Sequence, residues 1–112
     1  MARVSGSFKQ GFITSGAAAT GIVEDWLELM DTEVGTATSV TMTINVSIAC
    51  HNAGDDTYTA KLSATCAATS LANAKLQLAD VVTTCLTAIV TTHGAYATID
   101  TVDVSVSAVM SN

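Results

Sequence analysis

The sequence predicts a two-layer α+β domain: a mostly antiparallel sheet of three to four long strands, one long helix over residues 70–93 packed on its aliphatic face, and a short N-terminal helix. Three observations carry this. Residues 39–51, 57–67 and 98–110 alternate apolar with short polar side chains, the period of a half-buried strand. Residues 70–93 repeat Leu71, Ala74, Leu78, Val81, Val82, Cys85 and Ile89 at steps of three and four, the stripe of an amphipathic helix. An aliphatic sheet face and an apolar helix stripe cover each other.

Residues 3–14 alternate loosely, with Val4, Phe8 and Phe12 on one parity. Gly6 and Gly11 weaken the pattern, so residues 1–19 read as an N-terminal arm or edge strand and 20–112 as a single domain. Across residues 20–31, Ile22, Val23, Trp26, Leu27 and Met30 lie at helical spacing, with Glu24, Asp25, Glu28 and Asp31 opposite. Thr20 is the candidate N-cap. A strand reading of that stretch stays open, and residues 32–38 read as a loop.

The first long strand sets Val40, Met42, Ile44, Val46, Ile48 and Cys50 against Thr41, Thr43, Asn45, Ser47 and Ala49. Residues 52–55, Asn-Ala-Gly-Asp, have turn chemistry. The next strand sets Tyr58, Ala60, Leu62, Ala64 and Cys66 against Thr57, Thr59, Lys61, Ser63 and Thr65. If Cys50 pairs with Tyr58, Ile48 faces Ala60, Val46 faces Leu62 and Met42 faces Cys66. Cys50 and Cys66 then lie far apart, against a disulfide between them. Ser70 is a good N-cap for the long helix and Gly94 a good residue beyond its end. The last strand sets Val102, Val104, Val106, Ala108 and Met110 against Thr101, Asp103, Ser105, Ser107 and Val109.

A chain of 112 residues fits one domain. Hydrophobic residues make up 49% of it and charged residues 12%, against about 25% charged in average proteins. That shortage favours a homo-oligomer over a monomer. Four Lys and Arg stand against ten Asp and Glu, and the cations Arg3, Lys9, Lys61 and Lys75 are scattered, so no direct nucleic-acid binding is expected. No basic amphipathic stretch suits an anionic membrane. No signal-type apolar segment follows Met1-Ala2-Arg3, and no run approaches the length of a membrane span, so synthesis in a cytoplasm is expected. Three cysteines without close pairing fit reduced thiols.

Chemistry is sparse. His51, beside Asn52, Asp55 and Asp56, is the first suspect for a ligand or metal site. Those residues are also what a turn selects, and no metal or cofactor is expected. His93 falls at a helix C-terminus and reads as a cap. Cys50, Cys66 and Cys85 all take inward parity and read as core. No CxxC, GxSxG, Walker-type or GxGxxG pattern occurs. An enzyme is therefore not expected.

The best functional handle is the polar sheet face, for which Thr41, Thr43, Asn45, Ser47, Thr59, Ser63 and Thr65 are the candidate assembly residues, with Trp26 as a candidate anchor. Three readings compete: the face is solvated, it packs on another copy or another protein, or it lines a mildly acidic lumen of a ring. Small chains rich in Ala, Thr, Val and Ser and poor in Lys resemble, in composition, structural proteins of phage and virus particles. The expectation is a non-enzymatic structural subunit of a homo-oligomer, of capsid-associated, decoration or tail-tube type. Its partners would be itself or other virion proteins, and its location the virion after synthesis in a host cytoplasm. The alternative is a small oligomeric α+β enzyme or ligand-binding protein with a site near His51.

Overall fold

The computed structural model describes residues 2–13, 15–96 and 98–112. Thr14, Ala97 and the side chain of Phe12, whose parity entered the reading of the first strand, lie outside the described residues. The elements are β1 (Arg3–Ile13), α1 (Gly16–Val34), β2 (Ser39–His51), β3 (Thr57–Ala68), α2 (Leu71–Thr92), a 3-10 turn (Gly94–Tyr96) and β4 (Thr98–Ser111). The sheet is antiparallel throughout, in the order β1-β4-β2-β3. β1 and β2 are thus parallel across β4, and β3 and β4 parallel across β2, so each helix closes a split βαβ crossover.

Alternation builds the core. Val40, Met42, Ile44, Val46, Ile48 and Cys50 of β2 are buried, as are Val102, Val104, Val106, Ala108 and Met110 of β4. Their neighbours on the other parity are exposed or half-buried. Both helices cover this one aliphatic face: α1 lies over β1 and β4, and α2 over β2 and β3. α1 contributes Val23, Leu27 and Met30, and α2 contributes Leu78, Val82 and Ile89. The hairpin register is Cys50–Tyr58, Ile48–Ala60, Val46–Leu62 and Met42–Cys66, as the alternation predicts.

α1 is longer at both ends than the predicted 20–31 segment. Its N-cap is Ser15, whose side chain accepts from Ala18 N, and not Thr20. Gly16-Ala17-Ala18-Ala19 carry no apolar pattern, yet alanine is the best helix former, and the helix starts there. Thr20 is buried inside the helix and donates Oγ1 to Gly16 O at 2.8 Å. At the other end Gly35 adopts φ 77°, and its N–H reaches Asp31 O and Thr32 O. Asn112 Nδ2 donates to Val34 O and Gly35 O, tying the last residue to this cap. α2 begins at the predicted cap Ser70, but Gly94 is not left-handed. It opens the 3-10 turn instead, which swings Tyr96 back against the core.

α2 passes the length and composition test for a membrane span, with a mean hydropathy of 1.3 over its most apolar 18 residues. In this fold its apolar stripe is spent on the sheet.

Two bulges interrupt the ladders. Between Gln10 and Ile13, β1 carries one residue more than β4. Gln10 is buried there, and its Nε2 donates to Val102 O at 2.9 Å, standing in for a ladder bond. Its Oε1 has no partner among the described residues.

Ile44→Ala is expected to cost about 2–5 kcal/mol, since Ile44 is fully buried at the centre of β2. Gly35→Ala is expected to cost about 1–2 kcal/mol through the left-handed backbone alone, because an added Cβ meets nothing closer than 3.5 Å. Urea denaturation of each variant at low protein concentration reads both numbers; an Ile44→Ala protein as stable as the parent would contradict this packing.

Candidate assembly face

The polar face is a four-strand array. Its rungs are Ser5–Val109–Thr41–Ala67, then Ser7–Ser107–Thr43–Thr65, then Lys9–Ser105–Asn45–Ser63, then Asp103–Ser47–Lys61. Neighbouring strands stand about 4.8 Å apart and same-face residues about 7 Å apart along a strand, so the hydroxyls form a regular grid. Thr41, Thr43, Asn45, Thr59, Ser63 and Thr65 are exposed and Ser47 is half-buried. All seven share this face, hereafter the front.

The front extends beyond the residues that the sequence singled out. Ser5 and Ser7 of β1 belong to it, and so do Ser105 and Ser107 of β4. The parity that turns Val4 and Phe8 inward turns Ser5, Ser7 and Lys9 outward, so the signal was present. Trp26 is in the other layer. It is half-buried on α1, stacked on Phe8 with ring centroids 5.4 Å apart and planes 21° from parallel. The indole packs over Gly6, where an added Cβ would stand at contact distance, 3.4 Å.

Charge on the front is not acidic, contrary to the expected lumen lining. Arg3 and Lys9 project from edge strand β1 and Lys61 from edge strand β3. On the two central strands the acids of this side are Asp103 and, at the end of the sheet, Asp100. Twist hollows the front into two open troughs. One of about 560 Å³ is bordered by Lys9, Asn45, Lys61 and Asp103. The other, about 420 Å³, is bordered by Ser7, Thr43 and Ser107.

The His51 region differs from the sequence expectation. His51 Nδ1 donates to Asp100 Oδ1 at 2.7 Å, because an ionised carboxylate only accepts. A bulge on β4 brings this about: Thr101 faces Ala49 while Ile99 faces Cys50, leaving Asp100 as the extra residue. Without it, strict alternation would turn Asp100 into the core. Asp55 and Asp56 do not join His51. Asn52 Oδ1 accepts from Gly54 N and Asp56 N, and Asn52 Nδ2 donates to Asp56 Oδ2, so the turn uses its own polar groups. Among the described residues no three His, Cys, Asp or Glu side chains converge to hold a metal ion. His93 is the C-cap of α2, its backbone N–H donating to Ile89 O at 2.7 Å, and its ring lies 4.1 Å, centroid to centroid, from Tyr58.

Cys50 and Cys85 are buried and Cys66 is half-buried. Burial, and then the nearby Asp100 carboxylate, raises the Cys50 pKa. Burial, and then Cys50, raises that of Cys85. This is the opposite of what an activated nucleophile requires. Cys50 Sγ instead lies 3.3 Å from Tyr58 O as a weak donor.

No protein-family model matches the chain, and no curated protein is significantly similar to it.

Cys66 is expected to react first with a small disulfide reagent at neutral pH, with Cys50 and Cys85 reacting only on unfolding. Mass spectrometry of the labelled peptides over time reads the order, and equal rates at all three would contradict the burial. The pH sign follows from the same groups. Their pKa values are raised in the fold, so stability is full below the ordinary thiol value of 9.0 and falls as pH rises past it. Denaturant midpoints on either side of that value, with and without Cys50→Ala, measure the effect.

Proposed function

We propose that this protein is a non-enzymatic structural subunit of a homo-oligomeric assembly, most concretely a protein of a phage or virus particle, made in the host cytoplasm and built into the virion. The observation that carries this reading is the front: a four-strand grid of short hydroxyls whose cations stand on its two edge strands. Ser and Thr lose little rotamer freedom on burial, and interface cores are depleted in Lys, Glu and Asp. The front shares that scarcity of charge and differs from the usual charged surface of a monomer. The shape supports the same reading. The Cα extents of 55 × 22 × 16 Å describe an elongated molecule, and its four-strand face is about as large as the area a standard interface covers on one partner. Overall charge scarcity and the compositional likeness to particle proteins point the same way.

Light scattering after size exclusion, with negative-stain images of the same peak, is expected to give rings, tubes or a defined large oligomer. A clean monomer near 11.4 kDa at all accessible concentrations would overturn the reading. Thr43→Lys and Ser63→Lys each place a long charged side chain in the middle of the front and are expected to weaken self-association at least tenfold. His51→Ala, at the end of the sheet, is expected to leave it intact. Unchanged assembly in both lysine variants would sink the idea that the front is covered.

A further inference from the structure

Charge is sorted between the two layers. The front holds Arg3, Lys9 and Lys61 against Asp103 and Asp100, with Asp100 engaged by His51. The helical layer, the back, holds Glu24, Asp25, Glu28, Asp31, Glu33 and Asp80 against Lys75 alone. Lys75 is itself engaged by Glu28. The hairpin turn holds the remaining acids, Asp55 and Asp56. The molecule is therefore weakly cationic on one broad face and strongly acidic on the other. The back also exposes large aliphatic side chains, with Leu29, Leu76 and Val90 at 71%, 64% and 67% of full exposure.

We propose that copies of this chain associate front to back, the hydroxyl sheet face of one seated on the acidic helical face of the next; this rests on the assembly reading above and names its interface. Three broad-face arrangements are available to a slab. Front to front opposes two cationic faces. Back to back opposes two acidic faces, and like-charge juxtaposition costs several kcal/mol. Front to back is the one that brings opposite signs together. Area is sufficient. Four strands of 11 to 14 residues, at about 3.3 Å per residue and about 4.8 Å between strands, make a face on the order of 800 Å², matching the about 800 Å² per partner of a standard interface when most of it is covered. A front-to-back contact is heterologous, so it propagates into a filament or closes into a ring according to the rotation per step.

The test uses five exposed side chains in two variants of the full chain. One reverses the front, Lys9→Glu with Lys61→Glu; the other reverses the back, Asp25→Lys with Glu33→Lys and Asp80→Lys. Circular dichroism checks folding, and sedimentation velocity reads mass at a concentration where the wild type is assembled. Each variant alone is expected to lose self-association at least tenfold, and an equimolar mixture is expected to regain it, since each reversed front then meets a reversed back. A back variant that assembles like the wild type, or a mixture that stays dissociated, overturns the front-to-back contact while leaving assembly itself standing. A wild type that remains monomeric throughout overturns both.

Discussion

Everything in this fold depends on one constraint: a single aliphatic sheet face must be kept from water by two helices. With a side-chain period of two, a one-residue slip of any strand would move its whole apolar set to the wet side. The register of β2 between β3 and β4 is therefore fixed by Val40 to Cys50 on one parity and Val102 to Met110 facing them. The front follows from the same constraint. Once the aliphatic parity is committed inward, every Ser and Thr of the other parity is committed outward and into line with its neighbours. The grid of hydroxyls is thus as rigidly specified as the core beneath it.

This explains which parts of the molecule could be read from sequence. The hairpin register was legible because the turn residues and the alternation of both strands agree. α2 was legible because its stripe recurs over six turns. The ends of α1 were not, because Gly16 to Ala19 form helix through alanine propensity and the Ser15 cap rather than through apolar periodicity. The strand order was not legible either. β1 joins β4 across nearly the whole chain, and nothing local encodes a pairing of that separation. The bulge at Asp100 was hidden for a related reason: it becomes visible only when β4 is laid against β2.

The candidate face shows the same division. Thr41 to Ser47 and Thr59 to Thr65 could be placed on one side because they belong to one hairpin. Ser5, Ser7 and Lys9 needed the β1–β4 pairing to join them. Charge is the clearest case. Along the chain the cations look scattered and the protein looks uniformly acidic. Topology gathers Arg3, Lys9 and Lys61 on one face by setting β1 and β3 at opposite edges with matched parity, and leaves most of the acids on the helices. A net charge of −6 conceals two faces of opposite sign.

That segregation bears on how such a surface would recognise its own kind. Hydroxyls supply little discrimination: they are small, uncharged, and bond almost any polar neighbour or a bridging water. Their advantage is a low ordering cost and a flat approach. Register then falls to the few charges: the cations stand on the two edge strands, and Asp103 and Asp100 lie toward one end of central strand β4. Charges so placed steer encounter and penalise wrong faces more than they add affinity. The large exposed aliphatics of the back would supply, in the proposed contact, the apolar contacts that hydroxyls lack. In the proposed front-to-back contact, sign would order the copies and area would hold them.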